Sequence, residues 1–178
     1  MGQYHYLVNF DKKQVVSREE MVKKIEAALD ARTDLDLVIM ARCDARAVYG
    51  IQEAIERVNL YAQAGADMVF VEAPETLNEV RMIPKSVKAP AMINLVEGGK
   101  TPLISVEELR DLGFKFVSFS GSAQKAAIKA MRDLFNTLKA TGGIDNVLEN
   151  IVSLDDRSQL LDLKKFYEME VKYGVRDP

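Results

Sequence analysis

The sequence contains a single cysteine, a single histidine and no apolar run long enough to cross a bilayer. With only one cysteine, Cys43, a disulfide framework is excluded, and this usage is typical of a reducing compartment. A membrane span requires about 20 consecutive apolar residues, so the lack of such a run excludes a transmembrane helix. The N-terminal residues also lack the pattern of a secretory signal. We therefore expect a cytoplasmic protein without a membrane partner.

The chain also lacks an excess of positive charge. It has 24 Lys and Arg against 27 Asp and Glu, which gives a formal net charge of -3. Nucleic-acid binding requires net or clustered positive charge, so we expect no nucleic-acid partner. The only histidine, His5, has no second nitrogen or sulfur ligand near it in the sequence, which argues against a metal or catalytic role there.

A repeated unit is present instead: a short apolar run, then a polar loop, then an amphipathic helix. The continuous apolar character of these runs is typical of parallel strands that are covered on both faces. The predicted strands are residues 37–41, 68–71, 91–94 and 116–119. The predicted helices after them end at residues 64, 83, 112 and 140, with Thr76 and Ser105 as N-caps of the second and third.

The strict alternation of strand and helix predicts an α/β fold with parallel strands joined by right-handed crossovers. An open doubly wound sheet and a segment of a (β/α) barrel both fit. A complete barrel requires about 250 residues and eight units, and this chain has four. We expect one domain over residues 1–178: a lead-in segment and helix (1–36, with strand-like composition at 4–10), four β/α units (37–140) and a helical tail (141–178), with short helices near 146–151 and 160–173.

Polar residues follow the predicted strands at equivalent positions. Arg42, Glu72, Asn94 and Ser120 come at intervals of 30, 22 and 26 residues, each at the end of a strand. Ligands of parallel α/β folds bind outside the carboxyl ends of the strands, in barrels and in open sheets alike. The spacing therefore predicts a binding site made by these side chains.

The residue types at this position favour a small acid as the ligand. Arg42 offers a planar fork that matches a carboxylate or phosphonate. Asn94 can donate and accept hydrogen bonds, and Glu72 can accept from a hydroxyl or hold Arg42 in place. An alternative is that Arg42, Glu72 and the nearby Asp44 form an ion network that only ties the strand ends together. The sequence leaves both interpretations open.

Two further features have simpler interpretations. The run Gly98-Gly99-Lys100-Thr101 lacks the glycine spacing and the following helix of a Walker phosphate loop. We expect its glycines to allow a close approach of the backbone to a ligand or a neighbouring strand. Cys43 follows Arg42 and could be a nucleophile, but a cysteine at a strand end is more often a small buried hydrophobe.

Three segments carry a resemblance to a known family: Ala41-Arg42-Cys43-Asp44-Ala45, the stretch from Ala64 to Pro74, and Asn94-Leu95-Val96-Glu97-Gly98-Gly99-Lys100-Thr101-Pro102. Together they resemble the isocitrate lyase and phosphoenolpyruvate mutase superfamily. The similarity covers nearly all of residues 17–173. It is greatest to the short members, of the 2-methylisocitrate lyase, dimethylmalate lyase, oxaloacetate decarboxylase and carboxyphosphonoenolpyruvate phosphonomutase types.

The resemblance implies a TIM-type (β/α)8 barrel of which this chain is the C-terminal half, followed by C-terminal helices. It implies a Mg2+-dependent enzyme that cleaves or forms C–C or P–C bonds in small 2-oxo or 2-hydroxy acids. Arg42, Glu72 and Asn94 would bind the substrate. The resemblance also implies a homo-oligomer in which the region after Gly143 is exchanged between subunits.

The sequence departs from the family pattern in the parts that hold the metal. In the family those carboxylates come from earlier strands, and here Glu72 and Asp44 alone offer too few oxygens for Mg2+. The stretch at residues 3–6 lacks the cysteine and glycine of the family's gating loop, and Cys43 replaces a threonine. We therefore assign no catalytic residue and no metal ligand. The alternative function is a catalytically inert half-barrel, acting as an oligomeric scaffold or a small-acid binding module.

Overall fold

The computed structural model describes residues 13–175. Its centre is a four-stranded sheet in which neighbouring strands are parallel and follow the order of the chain, β1-β2-β3-β4. The strands are β1 (Met40–Cys43), β2 (Met68–Val71), β3 (Ala91–Asn94) and β4 (Phe116–Ser118). This arrangement confirms the predicted α/β class of parallel units. The predicted strand at residues 4–10 lies outside the described residues.

Helices precede and follow the strands. They are α1 (Arg18–Ala31), α2 (Arg46–Tyr49), α3 (Ile51–Gln63), α4 (Leu77–Ser86), α5 (Val106–Leu112), α6 (Ser122–Thr141), α7 (Leu154–Leu160) and α8 (Leu163–Lys172), with a 3-10 helix at Asp145–Asn150. The chain divides into two compact units, Met1–Ala123 and Gln124–Pro178. The first contains the sheet and the second contains most of α6 and the tail. The single-domain organisation stays a prediction. None of these helices, within residues 13–175, is long and apolar enough to span a membrane.

N-cap side chains bind the first turns of three helices, and these include the predicted caps Thr76 and Ser105. Thr76 and Glu79 form a complete capping box at α4, in which the Glu79 N–H donates to the Thr76 hydroxyl at 3.1 Å. The Ser105 hydroxyl accepts from the Glu108 N–H at 3.1 Å, and Ser17 does the same at the start of α1. These hydrogen bonds satisfy backbone donors that have no partner within the helix.

Several elements differ from the sequence prediction in their bounds or were not predicted. The first strand is shifted toward the C-terminus, because Leu37 and Val38 are exposed and the sheet pairing begins at Met40. Helix α4 continues past Pro84 because the Val87 N–H closes the last turn on the Ile83 carbonyl at 3.1 Å. The short α2 and α7 were not expected, and residues 146–151 lie largely in the 3-10 helix.

Alternation along the strands separates the sheet into two faces. One face belongs to the core and packs with buried helix residues such as Val58, Ile83 and Leu109. Its members from the strands are Ala41, Cys43, Val69, Val71, Ala91 and Ile93. On the opposite face, one residue from each strand is paired with its neighbour across the whole sheet: Arg42, Phe70, Met92 and Phe116. This second face leads to the candidate site.

Candidate functional site

Three strands bring the predicted site residues to the same edge of the sheet, the edge formed by the carboxyl ends of the strands. Arg42 lies near the end of β1, Glu72 directly follows β2, and Asn94 is the last residue of β3. The Glu72 N–H donates to the Cys43 carbonyl at 2.9 Å, so the pairing of the first two strands continues to this point. Glu72 and Asn94 each lie two residues beyond the paired Phe70 and Met92, on the same face.

The Arg42 guanidinium is held by three neighbours. Its Nε and Nη2 donate to Asp44 Oδ2 and Oδ1 at 2.7 and 2.9 Å, and Nη2 lies 3.4 Å from Glu72 Oε2. Its Cζ atom lies 5.4 Å from the centroid of the Phe70 ring, a cation–π contact between register neighbours. A guanidinium has five N–H groups, so Asp44 orients Arg42 and leaves donor capacity for a ligand.

Asp44 is a shared anion at this edge. Besides Arg42 it accepts a hydrogen bond from the Lys13 ammonium at 2.9 Å. Burial opposes the ionisation of Asp44, but the hydrogen bonds from Arg42 and Lys13 outweigh it, so the pKa of Asp44 lies below its ordinary value. Asp44 therefore stays ionised near neutral pH and keeps the arginine in one orientation.

Glu72 has the opposite shift. Its side chain is 18% exposed, and burial raises the pKa of the Glu72 carboxyl while the Arg42 charge partly offsets that effect. The negative charge of Asp44 also raises it. Glu72 is thus the carboxyl at this edge that takes up a proton more readily, and its oxygens can accept a hydrogen bond from a ligand hydroxyl.

Two serines complete the site on the side of β4. The Ser120 hydroxyl donates to Asn94 Oδ1, and the Ser118 and Ser120 hydroxyl oxygens lie 3.1 Å apart. Ser118 pairs with Asn94 in the register of β3 and β4, and the Leu95 N–H donates to the Ser118 carbonyl at 2.8 Å. Ser120 was predicted as a strand-end residue, and the structure brings it to Asn94.

The loop after β3 forms a tight turn beside this edge. Gly98 has a φ of 77°, and the Gly99 N–H donates to the Val96 carbonyl at 2.9 Å. A Cβ at Gly99 would lie 3.0 Å from that carbonyl oxygen, so the glycine permits the close backbone approach. Lys100 Nζ pairs with Glu75 Oε1 at 3.2 Å. The Lys100 charge therefore anchors the loop to the segment that follows β2.

Cys43, the candidate nucleophile of the sequence analysis, does not join the site. Cys43 is 3% exposed and belongs to the core on the opposite face of the sheet. Burial raises the pKa of the Cys43 thiol, which disfavours a nucleophilic thiolate. His5 and the stretch at residues 3–6 lie outside the described residues.

Comparison with known proteins identifies the family. Residues 6–139 match the sequence model of phosphoenolpyruvate phosphomutase. The chain belongs to the phosphoenolpyruvate phosphomutase family. This places it in the isocitrate lyase/PEP mutase superfamily and confirms the resemblance noted from the three sequence segments.

Several of its relatives are enzymes that are named for small organic acids. The chain is 40% identical to the 2,3-dimethylmalate lyase of Eubacterium barkeri, an alignment that covers 92% of this chain and 56% of that protein. The structure of oxaloacetate acetylhydrolase with the inhibitor 3,3-difluorooxalacetate matches with a TM-score of 0.85 and 28% identity, over 95% of this chain and 57% of the other.

A third similar structure is that of phosphonopyruvate hydrolase in complex with oxalate and Mg2+. It matches with a TM-score of 0.78 and 30% identity, over 93% of this chain and 60% of that chain. These matches agree with the predicted parallel β/α units of a TIM-type barrel family. The chain spans about half the length of the curated relatives it matches.

The described residues alone do not form a binding site for magnesium, the ion present in the phosphonopyruvate hydrolase structure. Within residues 13–175, no group of three or more His, Cys, Asp and Glu side chains could hold a metal ion. Asp44 and Glu72, the two carboxylates at the strand ends, both face Arg42, and Asp44 also binds Lys13. Residues 13–175 therefore do not supply a complete set of ligands for Mg2+.

Sequence reasoning missed two contributions to this site. Phe70 was seen only as part of a buried strand, and its contact with Arg42 depends on the register of β1 and β2. Ser118 was likewise seen as part of a strand. The period-two alternation that places Phe70 and Ser118 on the face of Arg42 and Asn94 is the signal that could have identified both.

Proposed function

We propose that this chain binds the substrate carboxylate in a lyase or mutase that acts on small 2-oxo or 2-hydroxy acids. The observation that carries the proposal is the convergence of Arg42, Glu72 and Asn94 on one edge and one face of the sheet. Family membership and the names of the relatives support it, because those enzymes cleave or form bonds in such acids.

In this proposal each side chain has a separate role toward the substrate. Arg42, oriented by Asp44 and Phe70, donates to a carboxylate or phosphonate oxygen. Glu72 accepts from a hydroxyl of the substrate, and Asn94 donates from its amide. When a C–C or P–C bond breaks at the carbon adjacent to an oxo carbon, the electron pair stays on that adjacent carbon as an enolate, and the other fragment leaves without the pair. The enolate charge lies largely on the oxo oxygen, and fixed donors such as Arg42 stabilise it.

We propose homo-oligomerisation and Mg2+ dependence for the complete enzyme as well. The sheet supports association, since among residues 13–175 the strands β1 and β4 each pair on one side only. The proposal of Mg2+ dependence is supported by the phosphonopyruvate hydrolase structure, which contains that ion together with oxalate. No ligand for the ion is assigned in this chain.

Calorimetric titration with oxalate tests the site. We expect saturable binding by the intact chain, and a loss of affinity of about tenfold or more for Arg42→Lys and Asn94→Ala, because a charge-assisted fork and an amide donor are removed. Arg81→Lys is the matched control, since Arg81 is exposed and contacts only Glu108 among the ion pairs described.

Two outcomes would contradict the proposal. One is the absence of saturable oxalate binding, with Mg2+ or without it. The other is binding that Arg42→Lys and Asn94→Ala leave unchanged. A parallel assay with 2,3-dimethylmalate, 2-methylisocitrate and oxaloacetate, with Mg2+ present, distinguishes turnover from binding alone. Binding without turnover would favour the acid-binding module over the enzyme.

A further inference from the structure

We infer that Ser120, assisted by Ser118, is a positioning residue that binds Asn94 Oδ1 and thereby turns the Nδ2 donors of Asn94 toward the ligand. The inference rests on the proposed function, in which a small carboxylate binds at this edge. It adds what the three-residue site does not specify: which atoms of the Asn94 amide face the substrate, and which group of the substrate they recognise.

The direction of the hydrogen bonds follows from the atoms involved. Asn94 Oδ1 carries no hydrogen, so the Ser120 hydroxyl must donate to it. That donation uses the only hydroxyl proton of Ser120. The contact between the Ser118 and Ser120 oxygens, at 3.1 Å, must therefore be donated by Ser118. The chain of donation runs from Ser118 through Ser120 to Asn94.

The backbone pairing reduces the conformational entropy that is lost when these hydrogen bonds form. Asn94 and Ser118 are register partners on β3 and β4, and the Leu95 N–H continues the pairing to the Ser118 carbonyl at 2.8 Å. The strands therefore hold both side chains next to each other, which limits the conformational freedom that the hydrogen bonds must fix. Consecutive hydroxyl donors also polarise one another, which strengthens the bond to Asn94.

The consequence is a specific pattern of donors and acceptors. Ser120 binds Oδ1 and so fixes the orientation of the amide, which leaves the Nδ2 end of Asn94, with its two N–H groups, for a ligand; Arg42 presents further N–H groups. Glu72 is the acceptor between them along the edge of the sheet. Asn94 then recognises a carboxylate or other oxyanion of the substrate, and a substrate hydroxyl is recognised by Glu72. An amide turned the other way would instead accept from a hydroxyl.

Nuclear magnetic resonance of the intact 15N-labelled chain tests the positioning without a ligand. The side-chain NH2 signal of Asn94 is identified by its loss in Asn94→Ala. We expect this signal to move in Ser120→Ala, to move less in Ser118→Ala, and to return toward its original position in Ser120→Thr, which keeps the hydroxyl. Ser122→Ala is the matched control, because the Ser122 hydroxyl donates to Glu97.

Oxalate affinities of the same variants test the recognition. We expect Ser120→Ala to weaken binding roughly fivefold to tenfold, and Ser120→Thr and Ser122→Ala to bind as the unmodified chain does. An unchanged Asn94 signal in Ser120→Ala overturns the positioning role. A moved signal with unchanged oxalate affinity overturns the donor role of Asn94 toward the carboxylate.

Failure of the proposed function gives a different result. In that case the unmodified chain does not bind oxalate, or binds it with no dependence on Arg42 and Asn94. The NH2 signal still decides whether Ser120 positions Asn94.

Discussion

At the scale of single residues, the ionisation of Glu53 is controlled by the two arginines that bind it. Glu53 accepts from Arg18 Nε at 3.0 Å and from Arg57 Nε at 2.7 Å, and Arg57 also donates to the Val16 carbonyl at 2.7 Å. Arg57 is 7% exposed. Hydrogen bonds from Arg18 and Arg57 lower the pKa of Glu53 to about 2, against an ordinary value of 4.5. This cluster joins the start of α1 to α3.

The Glu53 cluster predicts a specific loss of stability in acid. Because the pKa of Glu53 is lower in the folded state, its contribution is complete above its ordinary pKa and is lost as the pH falls toward about 2. We expect Glu53→Gln to lower the free energy of unfolding by about 1–2 kcal/mol at pH 7. Urea unfolding between pH 7 and pH 2 should show this difference shrinking toward zero.

Glu56→Gln is the control for that measurement. Glu56 is more exposed than Glu53 and contacts Arg18 at 2.8 Å, so its removal should change the free energy of unfolding by less than about 0.5 kcal/mol. A difference between Glu53→Gln and the unmodified chain that stays constant from pH 7 to pH 2 would show that Glu53 does not titrate as described.

The residues of the candidate site show how far sequence reasoning reaches at this scale. Arg42, Glu72 and Asn94 could be identified because each directly follows, or nearly follows, an apolar run, and parallel strands end at a common edge. The orientation of the Asn94 amide could not be predicted. It depends on Ser120, which lies 26 positions away and meets Asn94 only through the pairing of β3 with β4.

At the scale of elements, the two faces of helix α4 contribute differently to the stability of the fold. Val80 and Ile83 are 0% and 1% exposed and belong to the core, whereas Met82 is 39% exposed. The neighbouring positions 82 and 83 therefore lie in different environments on one helix. Burial of apolar surface, which stabilises the fold in proportion to the area removed from water, is concentrated at Ile83.

We expect Ile83→Ala to lower the free energy of unfolding by about 2–4 kcal/mol, because it leaves a cavity in the core. Met82→Ala should cost about 0.5 kcal/mol, since that side chain stays in contact with water. Chemical denaturation followed by circular dichroism measures both. Equal losses for the two variants would mean that α4 does not pack against the sheet through Ile83.

The element boundaries were predicted best where apolar runs had clear limits. Residues 68–71 and 91–94 coincide with β2 and β3. The run at 37–41 was misplaced because Leu37 and Val38 are apolar but exposed, and composition does not distinguish an exposed apolar residue from a paired one. Helix α7 was missed because its sequence, Leu154–Leu160, is mostly polar and is specified by the capping box of Ser153 and Asp156.

At the scale of the whole molecule, the two outer strands of the sheet, β1 and β4, favour association with another chain. Within the described part of the chain, β1 and β4 each pair with one neighbour, and Met40 and Phe116 on these strands are 42% and 51% exposed. An unpaired strand edge with apolar side chains favours association with another chain. The family resemblance implied a homo-oligomer, and this remains a proposal.

Light scattering coupled to gel filtration tests the association. We expect light scattering to give a mass of two or more times the 19.9 kDa of one chain. Phe116→Lys places a charge on the edge strand β4 and should shift the mass toward the monomer. Leu35→Lys is the control, because Leu35 is 83% exposed and lies in a turn, outside the strands of the sheet. A monodisperse, folded monomer of the unmodified chain would contradict the proposal.

The central claim is that Arg42, Glu72 and Asn94 form one site for a small carboxylate. A crystal structure of the intact chain grown with oxalate tests it most directly. The claim predicts oxalate within hydrogen-bond distance of the Arg42 guanidinium and of Asn94 Nδ2, with Ser120 still bound to Asn94 Oδ1. Oxalate bound elsewhere, or crystals at saturating oxalate with no oxalate at these side chains, would contradict it.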